Sequence, residues 1–439
     1  MATDISAATE ASTINRTKDD VLEAEVEAAA EIEAAIEIAA LSVEPAGTRY
    51  AKRTDTYGSS IWTDIFDLFR QHDDPIYFGD GSPSREAIPI DGLRESSRIA
   101  WESALDILNY GDSRGFQELR DLIAARMGAL GASVSPESVL VTAGSTQGID
   151  LACKILLDPG DVVIVERPTF LGALETFSSY EARVVGVPVD AEGMDIDALE
   201  AVLKAEPTAK FIYTIPTFQN PTGTTMTIER RYRMIALARQ YGVEIVEDDP
   251  YVELRYDGEH VPPLRALDDQ VIYLGTFSKT IAPGIRTGWA VAPPETYRRM
   301  VAAREIADIS NDRITQRTVY HTAVNDLDTS IERARTIYRT NRDTMLAALK
   351  EFMPEEVNWS KPAGGFFIWM TLPETFDVNT FATQAASFGT VVFPGDWFYH
   401  DRAVTNTIRL SFSTVAEDRI REGIRRLAEA IRSGSSRQE

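Results

Sequence analysis

A hydroxyl-rich stretch around one lysine is the first candidate for chemistry. In GTFSKTIAPGIRTG, residues 275–288, Lys279 lies close to Thr276 and Ser278, and Arg286 follows seven residues later. A count over the chain gives only 8 lysines among 44 Lys and Arg residues, so this amine stands out. An amine in this setting could bond a carbonyl carbon, while the guanidinium and hydroxyls held a phosphate. A surface loop with one amine is the alternative, which this stretch alone does not exclude.

More polar residues follow other apolar runs at the point where each run ends. Ser145 and Thr146 come after SVLVT at the start of a helical pattern, where free backbone N–H groups suit a phosphate. Asn220 lies in QNPTG after KFIYTI, and Asp248 and Tyr251 lie in EDDPY after VEIV. Each residue could instead be a helix cap, a turn residue or part of a capped loop. Their shared position at strand ends is what indicates one site.

Apolar runs and helical patterns alternate through the middle of the chain, which predicts an α/β fold with a mostly parallel sheet. The predicted strands cover residues 138–142, 162–166, 183–189, 210–215, 243–248, 271–275 and 288–292. The helical patterns cover residues 147–157, 171–179, 195–205 and 227–241. Because ligands of such sheets lie beyond the carboxyl ends of the strands, the polar residues should converge there. Together they suit pyridoxal 5′-phosphate (PLP), whose aldehyde forms a Schiff base with lysine.

The pattern changes after about residue 315 and predicts a second domain. A long charged helix is expected over residues 316–351, with strands in 364–372, 389–395 and 407–413 and a final helix over 415–432. We therefore expect four segments. They are an acidic N-terminal extension, partly disordered or helical (1–56), an N-terminal arm that joins the small domain (57–92), a large PLP-binding domain (93–315) and a C-terminal small domain (316–439).

Composition argues against several partners. The formal net charge of −24 disfavours nucleic acid and anionic membrane surfaces. The sequence contains no run of about 18 apolar residues and no basic, apolar leader, so we expect a cytoplasmic protein without a membrane span. Cys153 is the single cysteine and reads as a buried structural thiol. The 4 histidines lack metal-ligand spacing, so we expect no metal site.

The motifs together resemble the fold-type-I, class I and II aminotransferases, especially the branch with the 2-aminoadipate transaminases and the catalytic half of MocR-type regulators. The resemblance covers residues about 60–430 and rests on the order of nine motifs rather than on any one of them. These are YGDSRGFQELR, VTAGSTQGIDL, PTF, QNPTG, EDDPY, FSKTIAPGIRTGW, GGFFIWM, FPGDWF and IRLSFS. It implies a seven-stranded, mostly parallel sheet in the large domain, a smaller α+β domain, PLP as cofactor and a homodimer.

The resemblance also implies a role for each matching residue. Lys279 would form the Schiff base with PLP and carry protons, and Asp248 would pair with the pyridine nitrogen. Tyr251 and Asn220 would hydrogen-bond the ring oxygen. The phosphate would be bound by Ser145, Thr146, Thr276, Ser278 and Arg286.

The remaining implied roles concern the substrate and the partner subunit. Phe170 would stack on the cofactor ring, and Tyr110 would reach the phosphate of the neighbouring subunit. Arg409 would bind the α-carboxylate of the substrate, with help from the backbone near Gly81 and from Asn220. A carboxylate at the pyridine nitrogen keeps that nitrogen protonated, which makes the ring a better electron acceptor.

Three functions remain open on the sequence. The favoured one is an aminotransferase that moves an amino group between an α-amino acid and a 2-oxo acid. The second is a related PLP enzyme of specialised metabolism, diverted to β/γ-elimination, replacement or C–C bond formation, because Arg114 and Asp312 are unusual near the pocket. The third is a regulator that only senses PLP, which the acidic N-terminus disfavours. Arg313 could bind a distal carboxylate or be a surface arginine.

Overall fold

The fold is taken from a computed structural model, which describes residues 50–57, 68, 70, 72–102 and 104–435. Contacts divide the chain into Met1–Asp55 and Thr56–Glu439, and the fold below belongs to the second unit. The predicted acidic extension lies outside the described residues except for its last few, which include a 3₁₀ helix at Lys52–Thr56. Within the described residues, every helix is too short or too polar to cross a lipid bilayer.

Fourteen short strands are found in the described residues, and eight of them form one large sheet. In chain order the strands are β1 (Ile76–Tyr77), β2 (Val139–Thr142), β3 (Val162–Arg167), β4 (Arg183–Asp190), β5 (Gly193–Met194), β6 (Phe211–Thr214), β7 (Glu244–Asp248), β8 (Ile272–Thr276), β9 (Gly288–Val291), β10 (Asn358–Trp359), β11 (Phe367–Thr371), β12 (Thr390–Val391), β13 (Phe393–Pro394) and β14 (Thr407–Ser411).

The large sheet has the strand order β2-β9-β8-β7-β6-β3-β4-β5. Strands β4, β3, β6, β7 and β8 are parallel to one another, whereas β9 runs antiparallel between β2 and β8, and β5 runs antiparallel to β4. The mostly parallel sheet is therefore confirmed, and all seven predicted strands are present. The eighth strand, β5, was missed because it has only two residues, which pair with the end of β4 and carry no alternation of their own.

The helices connect these strands and cover the sheets. They span Ile90–Glu102, Ala104–Ile107, Gln117–Ala129, Ser145–Leu156, Leu171–Ser179, Ile196–Ala205, Ile228–Tyr241, Leu264–Leu267, Pro294–Asp308, Arg313–Asn325, Leu327–Phe352, Val378–Ser387 and Glu417–Ser435. Further 3₁₀ helices lie at Pro136–Ser138, Pro283–Ile285 and Gly395–Phe398. The limits of the four helices predicted between residues 147 and 241 hold to within two residues, whereas the final helix ends three residues later than predicted. Local caps fix two of these limits: Asp195 accepts from Asp197 N, and Gly242 ends its helix at φ 68°.

The prediction of one long helix over residues 316–351 is wrong. Two helices, Arg313–Asn325 and Leu327–Phe352, meet at Asp326, whose φ of −127° is not helical. Asp326 N donates to the last turn of the first helix at Thr322 O, while its carbonyl accepts from Ser330 N in the second. The break leaves the amphipathic pattern almost in phase, so the sequence reads as continuous.

The apolar core explains how the sheets are held. Val163 and Val165 of β3 enter the cluster on one face of the large sheet, whereas Val162 and Ile164 enter the cluster on the other. A separate cluster lies beside the smaller sheet, whose order is β10-β11-β14-β13. All strands of the smaller sheet follow residue 315, but one compact unit holds both sheets, so the domain boundary at 315/316 stays a prediction.

Candidate active site

The strand ends open into one cavity of about 370 Å³. It is lined by every residue that the sequence predicts for the site except Tyr110. The loops after β2, β3, β6, β7 and β8 each contribute at least one of these residues, as the rule for parallel sheets predicts. Tyr110 lies outside this cavity, and 84% of its surface is exposed.

Lys279 follows β8 and presents an amine to the cavity. Its Nζ donates a hydrogen bond to the carbonyl of Gly81 at 2.8 Å. Burial and the positive charge of Arg409 lower the pKa of Lys279 to about 8, although Asp80 and Asp248 oppose this shift. About a tenth of the amine is therefore neutral at pH 7, far more than for an ordinary lysine, and both a nucleophile and a general base require the neutral form.

Asp248 is the last residue of β7 and carries the buried carboxylate of the site. Its Oδ2 accepts a hydrogen bond from the Tyr213 hydroxyl at 2.8 Å, whereas Oδ1 is buried without a hydrogen-bond partner. Burial raises the pKa of Asp248 to about 6, against the effects of the nearby Tyr213 and Ser145 hydroxyls and of the charge of Lys279. A buried carboxylate oxygen without a donor is uncommon in folded proteins. The protonated ring nitrogen of PLP is a donor of the kind that this oxygen needs, so the residues fit the cofactor.

The start of helix Ser145–Leu156 has features that suit an anion. Its N-cap is Gly144, at φ 84°, and no side chain caps the free N–H groups of the first turn. Gly144 also permits the close approach of Arg286, because a Cβ there would lie 2.6 Å from Arg286 Nη2. The hydroxyls of Thr276 and Ser278, which also line the cavity, are hydrogen-bonded at 2.9 Å. Helix N–H groups beside a guanidinium suit a phosphate dianion.

Arg409 lies on β14 and brings a positive charge into the protein interior, with 5% of its surface exposed. Its Nη1 donates to Asn220 Oδ1 at 3.1 Å and its Nη2 to the carbonyl of Gly79 at 2.6 Å, while Nε has no partner. Three aromatic rings surround the guanidinium at 4.2–4.8 Å, those of Phe367, Phe393 and Phe398.

Arg409 forms no ion pair with the described part of this chain, and the negative charge of Asp80 offsets its charge only in part. Burial lowers the pKa of Arg409 to about 10, so it stays protonated at neutral pH. No carboxylate of the described residues lies within the 4.0 Å of an ion pair with it. A buried cation without an acidic partner is unfavourable in the unliganded protein. An anionic group of a ligand would supply the missing charge.

Two aromatic residues complete the cofactor side of the cavity. The ring of buried Tyr251 packs edge-on against Phe366 and Phe367, with ring centroids 5.4 and 6.0 Å away. Burial raises the pKa of Tyr251, so its hydroxyl keeps its proton and can donate a hydrogen bond. Phe170 lies just before helix Leu171–Ser179, and Gly172 makes room for its ring, since a Cβ there would lie 2.7 Å from Phe170 Cζ.

The structure adds residues that sequence reasoning missed. Tyr213 lies inside β6, where it reads as one more apolar wall residue, and only the strand register brings its hydroxyl to Asp248. Asp80 and Glu175 also line the cavity, and burial raises the pKa of Glu175. Asp80 adjoins Gly81, which the sequence did single out, but Glu175 lies within a helix and gives no signal.

The unusual residues near the predicted pocket lie outside this cavity. Arg313 Nη1 donates to the carbonyls of Asp106 and Asn109, the latter at 3.0 Å. Arg114 pairs with the carboxylates of Asp112 and Glu137 at 2.7 and 2.6 Å. Within one chain, these contacts favour a structural role for both arginines over binding of a distal carboxylate.

Comparison with known proteins finds relatives that match most of the chain. The family described as aminotransferase class I and II matches residues 85–427. Aromatic-amino-acid aminotransferase 1 of Thermococcus litoralis is 43% identical over 368 residues, which cover 82% of this chain and 88% of the relative. The 2-aminoadipate transaminase of Thermus thermophilus is 37% identical over 363 residues, 81% of this chain and 90% of the relative.

Solved structures agree with these matches. The kynurenine aminotransferase of Pyrococcus horikoshii superposes with a TM-score of 0.84 at 39% identity, over 88% of this chain and 97% of that one. LysN, the α-aminoadipate aminotransferase of Thermus thermophilus, was solved with N-(5′-phosphopyridoxyl)-L-leucine. It superposes with a TM-score of 0.81 at 33% identity, over 88% of this chain and 97% of its own.

Proposed function

Because this chain belongs to the class I and II aminotransferases, we propose that Lys279 is the residue through which it transfers amino groups. Amino-group transfer with PLP as cofactor is the function of the family, and it prevails over the two alternatives left open by the sequence. The observation that carries the proposal is a partly neutral amine in the cavity that also holds the unpartnered oxygen of Asp248.

The cofactor supplies an aldehyde and an electron-accepting ring, and the residues of this chain hold and orient it. In the proposal, Lys279 makes the covalent link. Asp248 Oδ1 would accept a hydrogen bond from the protonated ring nitrogen, and the ionised carboxylate would keep that nitrogen charged. Tyr213 holds Asp248 Oδ2 at 2.8 Å and so sets the direction in which Oδ1 points. Tyr251 and Asn220 would hydrogen-bond the ring oxygen, and Phe170 would stack on the ring; all three line the cavity.

The phosphate of the cofactor would be bound at one end of the cavity. We assign it to Arg286, to the hydroxyls of Thr276 and Ser278 and to the first turn of helix Ser145–Leu156, including Thr146. Among the described residues, no carboxylate forms an ion pair with the guanidinium of Arg286. A phosphate dianion would balance its positive charge and the partial positive charge of the helix N–H groups.

Proton movement falls to the same lysine. Lys279 lines the cavity that Arg409 also lines, so its Nζ, when not linked to the cofactor, would share that site with the substrate Cα. With a pKa of about 8, this amine can take the proton from Cα and return it as an acid. Arg409 binds the α-carboxylate, and the backbone at Gly81 helps to orient it, so that Cα faces Lys279.

The experiment is a single half-reaction with Lys279→Ala and with the control Lys154→Ala. Lys154 is exposed on a helix and pairs with Asp150 at 3.4 Å, away from the cavity. Wild type and Lys154→Ala, loaded with PLP and given phenylalanine without an acceptor, should release one 2-oxo acid per site. Lys279→Ala should release it at least about a hundredfold more slowly. If Lys279→Ala released the 2-oxo acid at the wild-type rate, the assignment of Lys279 would be refuted.

For the substrate we propose an amino acid with an apolar or aromatic side chain. Among the described residues that line the cavity, the cations are Lys279, Arg286 and Arg409, and the proposal uses all three for cofactor or α-carboxylate. The acids Asp80 and Glu175 remain, and they would repel a distal carboxylate. The apolar wall is formed by Phe170, Leu171, Ile215, Phe367, Phe393 and Phe398.

Two relatives are named for different substrates, one for aromatic amino acids and one for 2-aminoadipate, and our proposal favours the first kind of substrate. We expect a higher kcat/KM for phenylalanine than for 2-aminoadipate. Glu175→Gln should raise kcat/KM for 2-aminoadipate by about twofold to fivefold and leave phenylalanine unchanged, since it removes one solvent-screened charge. Glu259→Gln, an exposed change outside the cavity, is the control. A preference for 2-aminoadipate in the wild type would overturn the substrate proposal but not the role of Lys279.

We also propose that the working form is a homodimer in which Tyr110 contacts the phosphate of the partner site. Four exposed apolar side chains support an interface near Tyr110. Leu105, Leu108 and Ile306 are 88%, 65% and 86% exposed, and Tyr110 itself is 84% exposed. The two segments adjoin, because Ser113 Oγ donates to Glu305 Oε1 at 2.7 Å. Apolar groups exposed together usually mark an association surface.

Mixed dimers test this arrangement. Tyr110→Ala and Lys279→Ala homodimers should both be weakly active or inactive. A heterodimer of the two should regain one good site, because one subunit keeps Lys279 while its partner supplies an intact Tyr110. A monomer by sedimentation, or no recovery in the heterodimer, would contradict the proposal. The cytoplasmic location stays a prediction from the sequence.

A further inference from the structure

A small second cavity of about 20 Å³ lies directly beside the active-site loops. Its wall includes Asp249, Thr280 and Trp289. Each of these residues is more than nine-tenths buried, since Asp249, Thr280 and Trp289 are 3%, 6% and 8% exposed. Each also has a polar atom without a hydrogen-bond partner, namely Asp249 Oδ1, Thr280 Oγ1 and Trp289 Nε1. Three such atoms on one small cavity are unusual, since buried polar groups are nearly always paired.

The volume and the chemistry of the three atoms identify the ligand. A cavity of this size holds one water molecule, and buried waters make about three hydrogen bonds. The indole N–H of Trp289 only donates, and the hydroxyl of Thr280 does either. Burial raises the pKa of Asp249 well above its usual range, so its Oδ1 accepts when the group is ionised and can also donate when it is protonated. A metal cation does not suit the site, because the indole N–H would point a proton at it. A water molecule can accept from the indole and donate to the carboxylate.

The position of this cavity connects it to catalysis. Asp249 follows Asp248, Thr280 follows Lys279, and Trp289 lies on β9, whose residues pair with β8. Asp249 is already anchored at its other atoms: N donates to Leu274 O at 2.9 Å, and Oδ2 accepts from Tyr273 OH at 3.2 Å. Oδ1 is therefore the free end that can reach across to the lysine loop.

We propose that one buried water molecule, bound by Asp249 Oδ1, Thr280 Oγ1 and Trp289 Nε1, is a permanent part of the active site. It ties the loop that carries Lys279 to the strand end that carries Asp248, and it fixes the distance between these two residues. Asp249, Thr280 and Trp289 are thus positioning residues. The functional part of this inference rests on the proposed roles of Lys279 and Asp248.

A high-resolution crystal structure of the holoenzyme tests the water directly. We expect one ordered water within about 2.7–3.2 Å of all three atoms. The inference is overturned if that density is absent, or if the three atoms bond other protein groups instead. This outcome does not depend on which lysine holds the cofactor, so it is separate from the test of the proposed function.

Variants of Thr280 test the positioning role. Thr280→Val keeps the shape and removes the hydroxyl, whereas Thr280→Ser keeps the hydroxyl and is the matched control. We expect Thr280→Val to lower kcat by about threefold to tenfold, the effect of one lost hydrogen bond, with KM unchanged. It should also shift the pH midpoint of the visible cofactor absorbance, and Thr280→Ser should restore both values.

A second variant covers the case in which Thr280→Val does not fold. Trp289→Phe keeps an aromatic ring and removes only the indole donor, so it should lower kcat in the same range. Wild-type kcat and an unshifted pH midpoint in a folded variant, with the cofactor still linked to Lys279, would refute the positioning role alone. Loss of the link to Lys279 in the wild type would instead refute the proposed function.

Discussion

Replacement of Arg409 by leucine should separate binding of the substrate from stability of the protein. Arg409 is 5% exposed, has no carboxylate partner in the described residues and is surrounded by aromatic rings. Leucine fills much of the same apolar space and removes the charge. In the unliganded enzyme this change removes a buried cation that has no ion-pair partner, so the free energy of unfolding should stay about the same or rise, even though Asn220 and Gly79 lose a donor.

The effect on catalysis should have the opposite sign. Removing one partner from a buried, hydrogen-bonded charge pair costs about 2–5 kcal/mol. With about 1.4 kcal/mol for each factor of ten, kcat/KM for phenylalanine should fall by about 30- to 4,000-fold. Arg409→Lys should lie between, because an ammonium keeps the charge but not the two parallel hydrogen bonds of a guanidinium.

The assay compares phenylalanine with phenethylamine, which has the same side chain and amine but no carboxylate. The wild type should prefer phenylalanine strongly, and Arg409→Leu should lose most of that preference while it processes phenethylamine at the wild-type rate. Thermal denaturation of the apoenzyme measures stability in parallel. If Arg409→Leu slows both amines equally, or lowers the melting temperature sharply, Arg409 holds the fold rather than the carboxylate, and our reasoning is wrong.

Three further predictions follow from the charges of the site. The rate at which PLP attaches to the apoenzyme, measured by absorbance, should rise with pH around a midpoint of about 8, because only the neutral amine of Lys279 reacts. A midpoint near 10 in this rate would contradict the lowered pKa of Lys279. PLP affinity should fall as pH drops through about 6, because protonated Asp248 cannot pair with the ring nitrogen. Asp248→Asn should therefore remove that pH dependence and lower kcat by about 100- to 1,000-fold. Tyr213→Phe, which frees Asp248 Oδ2, should raise the pH midpoint for PLP binding, and an unchanged midpoint would exclude this role for Tyr213.

The burial of Asp248 also affects the stability of the apoenzyme. Its pKa is raised from 3.8 to about 6, so between these values the folded state holds a proton that the unfolded state has lost. This group therefore contributes stability below about pH 4 that is lost as pH rises through about 6. PLP reverses the trend, because its ring nitrogen stabilises the ionised carboxylate.

The sheet could be predicted from the sequence because its strands are long apolar runs. The rule that ligands lie beyond the carboxyl ends of parallel strands then joined Ser145, Asn220, Asp248 and Lys279 before any distance was known. Those residues do line one cavity. The two-residue strand β5 and the break at Asp326 were not predicted, because neither changes the pattern of apolar residues over more than a few positions.

The finer parts of the site depend on register and packing, which the sequence does not display. The hydroxyl of Tyr213 reaches Asp248 only because β6 and β7 pair in one register. The sequence does not show that Arg409 lacks an ion-pair partner. The structure shows this, because the neighbours of Arg409 are a carbonyl, an amide and aromatic rings. The shared cavity of Asp249, Thr280 and Trp289 likewise joins three segments whose side chains show no common pattern.

The identity of the lysine that binds PLP tests the central claim most directly. The holoenzyme is reduced with borohydride, which makes the link permanent, and digested, and the labelled peptide is located by mass spectrometry. With only 8 lysines in the chain, each can be assigned without ambiguity. We predict that the phosphopyridoxyl label lies on Lys279 in the wild type and is absent from Lys279→Ala. A label on any other lysine, or undiminished labelling of Lys279→Ala, would contradict the account.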